Sequence, residues 1–297
     1  MGSTSRSECE LTGQANLTTL RAMKTFVVTG ANTGIGKITA RELARAGNHV
    51  ILACRSADKT QPVVDEIQRE TGNKNVEFVQ LDLGDLASVR RCAEELLARK
   101  TPIHGLINNA GLAGARGTTK DGFEIQFGTN HLGHYLFTRL LLDAIVEGGR
   151  IVNVSSDSHY SAKGIDWDAV RKRTRTTTAL HEYGVSKLAN VLFTKELARR
   201  LEGKKVTTYA VHPGVVATDV WRKVPGPVRW LMKKFMWTPE QGAQSTIRAA
   251  TAPELATETG RYYNKDGREK KPNRLADDQT LAADLWSKSA EWVGLPS

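Results

Sequence analysis

The chain has 297 residues, 40% hydrophobic and 25% charged, with no internal repeat or low-complexity run, which suits a globular protein with a full core and excludes a disordered or fibrous chain. Its net charge of +10 is spread through stretches that also carry acids, rather than gathered in one basic arm, and this argues against nucleic-acid binding. The three cysteines, Cys9, Cys54 and Cys92, have neither the even count nor the spacing of a disulfide framework or a zinc site, so no metal is expected and a reducing compartment is.

Residues 1–22 are polar and rich in Ser and Thr, and are expected to form a disordered extension. From Lys24 onward short apolar runs alternate with amphipathic stretches. The runs Thr25–Thr29, His49–Cys54, Val76–Leu81, Gly105–Asn108, Gly149–Val154 and Val206–Val211 are rich in Val, Ile and Leu with little polar alternation, as buried parallel strands are. Between them, helical spacing predicts helices over Ile35–Ala46, Gln61–Thr71, Ala87–Arg99, Phe123–Val146, Tyr183–Leu201 and Pro239–Ala250. Strict alternation implies right-handed crossovers and one α/β domain over residues 23–297, a doubly wound parallel sheet of about seven strands flanked by helices. Gly260–Asn264 is the expected seventh strand and Asp278–Val293 the last helix. No run of about 18 apolar residues is present to span a bilayer, and the N-terminus lacks the apolar core of a secretory signal, so a cytoplasmic protein is expected.

The first strand leads straight into Thr29-Gly30-Ala31-Asn32-Thr33-Gly34-Ile35-Gly36 and then into a helix. Glycines let the backbone turn tightly and approach a pyrophosphate, whose charge the helix N-terminus favours. Gly30, Asn32, Thr33, Gly34, Ile35 and Gly36 are therefore candidate phosphate-contacting residues, in a Gly-x-x-x-Gly-x-Gly spacing that departs from the usual dinucleotide fingerprint. This loop resembles the signature of short-chain dehydrogenases/reductases, and the resemblance extends over roughly residues 24–265. It implies a Rossmann-type fold and a nicotinamide cofactor. On it, Asn109, Ala110 and Gly111 of Asn108-Asn109-Ala110-Gly111 border the adenosine side, and Asp82 with Leu83 meets the adenine.

At the end of the second strand, in Ala53-Cys54-Arg55, Cys54 stands where an NAD-preferring protein carries a carboxylate. Arg55 can engage a 2′-phosphate with paired charge-assisted hydrogen bonds, and Lys37 and Asn32 could add to that site, so NADP(H) is expected.

Tyr183 and Lys187 lie four apart on one helical face, so a phenol and an ammonium can address one point, the cation favouring phenolate. Both are also expected to touch the cofactor. The resemblance implies that Ser156, rather than Ser155, holds the substrate oxygen, with Ser155 left near the cofactor. It also implies that Asn130 kinks its helix and holds a water linking Lys187 to solvent, and that Pro213, Gly214, Val216 and Thr218 hold the carboxamide. None of the four catalytic residues is missing.

The long stretch between Ser156 and Tyr183, with Asn32-Thr33-Gly34-Ile35-Gly36-Lys37 and Asn130-His131-Leu132-Gly133-His134, is most similar to the retinol dehydrogenase branch. That stretch carries Trp167 and a basic cluster around Lys172. The segment near 220–238, mixing Trp, Met and basic residues, reads as a substrate lid suited to an apolar aldehyde or ketone and its alcohol, and also suits weak contact with an anionic membrane surface. The alternatives are a ketoreductase of a polycyclic or lipid-like metabolite and a sensor or scaffold that holds NADPH without turnover. The resemblance further implies a homodimer paired through the helices that carry Asn130 and Tyr183.

Overall fold

A computed structural model of the chain describes residues 23–216 and 237–297. The apolar runs become the strands β1 (Thr25–Thr29), β2 (His49–Cys54), β3 (Val76–Gln80), β4 (Ile103–Asn108), β5 (Ile145–Val154), β6 (Thr207–Val211) and β7 (Arg261–Tyr263). They form one seven-stranded parallel sheet in the order β3-β2-β1-β4-β5-β6-β7. Helices α1 (Gly34–Arg45), α2 (Ala57–Thr71), α3 (Leu86–Ala98), α4 (Ile125–Phe127), α5 (Gly133–Leu141), α6 (Leu180–Arg200), α7 (Pro239–Thr251) and α8 (Gln279–Val293) flank it.

The period of two along each strand decides the layers. In β1, Phe26 and Val28 join a buried cluster with Leu43 of α1, Ile67 of α2 and Ala249 of α7. Val27 between them joins a second cluster with Val89 of α3, Leu136 of α5, Phe193 of α6 and Trp286 of α8. Each such side chain contributes about 1.5–3 kcal/mol by leaving water, and the two clusters together hold helices to both faces. The strand order reverses between β1 and β4, and loops leaving their carboxyl ends diverge to opposite faces, which opens a crevice there.

Two elements differ from their expected form. Helix α2 begins at Ala57 rather than Gln61, because the Thr60 amide and hydroxyl both bond back to the Ser56 carbonyl and start the helix a turn earlier. The stretch expected as one helix from Phe123 to Val146 is broken into α4, a π turn at Gly128–Leu132, α5, and a 3₁₀ turn at Leu142–Ala144, and Val146 already belongs to β5. The 1–22 extension, Thr218 and all but the end of the expected lid lie outside the described residues.

Helix α6 has no wet face over its middle, since every residue from Gly184 to Thr194 is buried. Its outer side is closed by the chain's own α8. There Trp286 stacks on Phe193 at 6.0 Å and meets Tyr135 edge-on at 5.2 Å, while the guanidinium groups of Arg139 and Arg200 lie 4.7 and 4.2 Å from the Trp286 ring centre. The stretch before α6 docks on α8 as well: Trp167 lies 6.2 Å from Trp292, and Arg171 lies over Phe123 and Trp292.

Gly133, the first residue of α5, passes the loop after β3 so closely that a Cβ would stand 2.5 Å from the Leu83 carbonyl oxygen. Alanine normally gains about 1 kcal/mol over glycine within a helix, but a backbone oxygen cannot turn aside as a side chain can. Gly133→Ala is therefore expected to lower unfolding stability by about 1–3 kcal/mol in urea denaturation. A stability equal to or above that of the wild type would show that no such close approach exists.

Candidate active site

Construction starts at the carboxyl end of β1. Gly30 and Gly34 adopt φ of +65° and +56°, the left-handed region that side chains disfavour, and so form the turn into α1. A Cβ on Gly30 would lie 2.8 Å from that of Ala110, and one on Gly36 would lie 2.4 Å from Asn109 Nδ2 and 2.6 Å from the Gly30 carbonyl. The loop is thus pressed against Asn109 and Ala110, both of whose amides donate to Thr29 Oγ1 at 2.9 and 3.0 Å. Asn109 Nδ2 also donates to the Thr29 carbonyl at 2.9 Å. Thr33 stands at the N-cap of α1 in extended backbone, beside the loop.

On the adenosine side, one Asp82 carboxylate oxygen accepts the Gly84 amide at 2.9 Å, and Leu83 is buried under Gly133. Cys54 is buried beneath the glycine loop, its sulfur hydrogen-bonded with the amides of Gly30, Ala31 and Asn32, and burial pushes its thiol upward, so it carries no charge. Arg55 is exposed and makes no ion pair among the described residues. Lys37 does not join Arg55: its ammonium donates to both oxygens of Glu66 on α2 at 2.7 Å, because its position on α1 faces that carboxylate.

The reacting groups gather where β5 ends. Lys187 is 3% exposed, donates to the Val154 carbonyl at 2.8 Å and stands 5.7 Å from the Tyr183 ring centre. Burial pushes Lys187 down to about 8 and pushes the Tyr183 phenol upward, the latter opposed by a hydrogen bond with Ser156. Ser156, Tyr183 and Lys187 are therefore brought together. The Ser155 hydroxyl donates to the Lys187 carbonyl at 2.8 Å, fastening β5 to α6. Gly111 reaches past the adenosine side to the same point, since a Cβ on it would lie 3.4 Å from Lys187 Nζ and 3.5 Å from Asn130 Oδ1.

Asn130 sits in the π turn. Its side-chain Oδ1 accepts the Leu112 amide at 2.7 Å, and Nδ2 donates to the Leu112 carbonyl and to Ser186 Oγ, each at 2.9 Å. Its backbone carbonyl oxygen lies 3.0 Å from His134 Nδ1.

The segment after β6 closes the other end. A Cβ on Gly242 would meet Val216 Cγ2 at 2.5 Å, the Pro213 carbonyl at 3.2 Å and Ile35 Cγ1 at 3.3 Å, so Ile35 of the phosphate loop and the Pro213–Val216 segment converge at the start of α7. Gly214 has φ +88°, and Val216 bridges Trp237.

Sequence reasoning misses three residues here. Thr29 reads along the chain only as the entry to the glycine loop. His134, four positions beyond Asn130, bonds to both Asn130 and Thr29; its i, i+4 spacing was the available signal. Asp157, directly after Ser156, takes Tyr262 Oη at 2.9 Å and both carboxylate oxygens take Lys270 at 3.1 and 3.0 Å, while its amide donates to His212 Nδ1 at 3.2 Å. These partners are far away in sequence, so no local pattern signals them.

The family model for short chain dehydrogenases matches residues 24–167 and 172–227, and the chain belongs to that family. Among characterised relatives it is 45% identical to human retinol dehydrogenase 13, over 92% of this chain and 85% of that one, and 42% identical to human polyprenol dehydrogenase, over 93% and 86%. It is thus a retinol dehydrogenase-like oxidoreductase of the type acting on CH–OH groups. Among solved structures, an uncharacterised protein from Mycobacterium paratuberculosis superposes with a TM-score of 0.74 at 36% identity, covering 92% of this chain and 94% of that one. A protein from Beutenbergia cavernae described as an NAD(P)-dependent gluconate 5-dehydrogenase, solved with NADP bound at low occupancy, gives 0.66 at 29% identity over 82% and 95%.

The depressed Lys187 carries a signed consequence. Between about 8 and the ordinary 10.5, the unfolded chain holds a proton on this residue that the folded chain does not, so stability from this group rises with pH across that window. Below it both states are protonated and the burial penalty is constant. Lys187→Met lacks this contribution. Urea denaturation of both proteins from about pH 8 to about pH 10 should show the wild type gaining on the variant; a constant difference would mean that Lys187 is not desolvated.

Proposed function

We propose that the protein interconverts an apolar aldehyde or ketone and its alcohol with NADP(H), through Ser156, Tyr183, Lys187 and Asn130. The observation that carries this reading is the convergence of the Ser156 hydroxyl, the Tyr183 phenol and the Lys187 ammonium at the end of β5. The glycine loop supports a dinucleotide: Gly30 and Gly36 let it pack against Ala110 and Asn109, Gly34 takes the left-handed turn into α1, and Asp82, Leu83 and Gly111 on one side and Pro213, Gly214 and Val216 on the other would border the cofactor. The nicotinamide, when bound, supplies or accepts the hydride.

In reduction, Tyr183 gives its proton to the substrate oxygen while Ser156 donates a hydrogen bond to it as charge develops there. Lys187 stabilises the phenolate left behind and passes a proton to it, and regains that proton from solvent through a water held by Asn130. Oxidation runs the same steps backward, the phenolate taking the alcohol proton. Tyr183 meets the requirement for a proton donor at neutral pH, since burial keeps the free phenol protonated and the neighbouring cation favours the phenolate only once the proton leaves.

NADP(H) is supported over NAD(H) by an uncharged, buried Cys54 where a carboxylate would repel a 2′-phosphate, and by an exposed Arg55 with no ion pair among the described residues. The similar fold of the Beutenbergia protein, described as NAD(P)-dependent, supports a nicotinamide cofactor. Hydrogen bonds to a charged group contribute about 1.5–3 kcal/mol, so Arg55→Ala should weaken NADPH binding about 10- to 100-fold and leave NADH binding nearly unchanged in fluorescence titrations. Equal loss for both cofactors would assign Arg55 to another role.

The apolar substrate is supported by surface chemistry. Of the five large hydrophobic residues exposed among the described ones, Tyr160, Leu180 and Val215 belong to the segments that carry Ser156, Tyr183 and Gly214. The names of the relatives, retinol and polyprenol dehydrogenases, point the same way. Absorbance at 340 nm should fall when NADPH and the protein meet retinal or a long-chain aldehyde. Turnover confined to polycyclic ketones would favour the ketoreductase reading, and cofactor binding with no turnover the sensor. No helix among the described residues is long and apolar enough to cross a membrane. The free, buried thiols of Cys54 and Cys92 support a reducing compartment such as the cytoplasm.

We also propose that α8 gives α5 and α6 in one chain the cover that the expected homodimer would supply from a second. Sedimentation velocity should then report a species near the 32.6 kDa of one chain; a stable species of twice that mass would restore the dimer.

A further inference from the structure

His134 is buried at 2% exposure, and its two ring nitrogens face two different parts of the site. Nδ1 lies 3.0 Å from the Asn130 carbonyl oxygen, and Nε2 lies 2.9 Å from Thr29 Oγ1. A carbonyl can only accept, so Nδ1 carries a proton. Burial, reinforced by the Lys187 charge, holds the ring's pKa down to about 4 against the Asn130 bond, so the ring has only that one proton at neutral pH. Nε2 must then accept from the Thr29 hydroxyl. That hydroxyl oxygen in turn accepts the amides of Asn109 and Ala110. One continuous, single-sense chain of hydrogen bonds runs from the segment that holds the glycine loop, through Thr29 and His134, to the Asn130 carbonyl.

We propose that His134 is a positioning residue, fixing the Asn130 carbonyl in the π turn beside Lys187 and keying it to the frame that seats the cofactor. This rests on the proposed proton path through Tyr183, Lys187 and Asn130. The Asn130 side chain is already bonded to Leu112 and Ser186, and the path is taken to continue through its carbonyl. A π turn takes its carbonyls out of the regular helical ladder, and His134 gives this one a side-chain donor that holds its direction. The two halves of the bridge differ in how replaceable they are. Thr29 can turn its hydroxyl to the Ile107 carbonyl at 3.4 Å and keep accepting from Asn109 and Ala110. No other side chain is placed to donate to the Asn130 carbonyl among the bonds the described residues make. Loss of His134 should therefore slow turnover more than it weakens cofactor binding.

Two amide isosteres separate the halves. Asparagine places its amide nitrogen where the histidine has Nδ1, and glutamine places its terminal group where the histidine has Nε2. With retinal and NADPH as the probe pair, His134→Phe and His134→Gln should lower kcat about tenfold or more, whereas His134→Asn should recover it to within about threefold of wild type. NADPH dissociation constants should stay within about threefold throughout. Hydrogen–deuterium exchange of the amides around residues 131–135 should rise in the Phe and Gln variants and not in the Asn variant. Equal kcat in the Asn and Gln variants, or an undiminished kcat in the Phe variant, would overturn the proposal. Tyr183→Phe serves as the control. If it turns over as fast as the wild type, the proposed proton path fails, and if the wild type leaves retinal untouched, the apolar-aldehyde reading fails; in either case the exchange pattern alone decides whether His134 holds the π turn.

Discussion

The site hangs from one hydroxyl. Thr29 Oγ1, at the carboxyl end of β1, accepts the amides of Asn109 and Ala110 and donates to His134. Those two amides leave the end of β4, the neighbour of β1 across the point where the strand order reverses. At such a point the two loops diverge to opposite faces, and without a tie their backbones would have no partner in the sheet ladder. Thr29 supplies the tie, and the close approaches at Gly30 and Gly36 follow from it. A longer side chain at either glycine would push Ala110 or Asn109 away and open the cradle. The phosphate loop is therefore held by β4 as much as by its own sequence.

A second constraint is the burial of a cation. Lys187 sits among Val154, Gly111 and Asn130 with almost no access to water, and its pKa falls accordingly. An ammonium is costly to bury unless its donors are used, and the Val154 carbonyl takes one of them. The same burial that makes Lys187 expensive makes its proton easy to give up, which is what a relay to a phenolate requires. The helix that bears it can be dry because α8 closes its outer side with Trp286, whose indole is stacked on Phe193 and flanked by Arg139 and Arg200. Cover at the back of α6 and chemistry at its front are thus parts of one arrangement.

Glutamate and arginine choices around the cofactor end show how tertiary pairing redistributes charge. Lys37 directly follows the glycine loop, and Arg55 directly follows β2. Glu66 neutralises the first, while the second stays exposed and unpaired among the described residues. Asp157 plays a comparable part at the other end. It draws His212, Tyr262 and Lys270 together behind Ser156, so the loops after β5, β6 and β7 share one anchor, and its carboxyl stays below the usual range despite burial because His212 and Lys270 favour the charged form.

Local chemistry in the sequence was enough for the parallel sheet, most helices, the glycine turn and the shared face of Tyr183 and Lys187, because each depends on periodicity or on residues within a few positions of one another, whereas Ser156 was singled out by the family resemblance. Gly30 and Gly34 announce their left-handed turn, and Tyr183 and Lys187 share a face by spacing alone. What only the folded chain decided involves partners far apart: Lys37 lost to Glu66, Ser155 turned to the Lys187 carbonyl, the Asn130 amide consumed by Leu112, the π turn in place of a straight helix, and His134 joining Asn130 to Thr29. A short-range pattern cannot express which of several polar neighbours a side chain will find. That choice is made when the sheet brings β1, β4 and β5 side by side, since every buried donor and acceptor must then be matched at once.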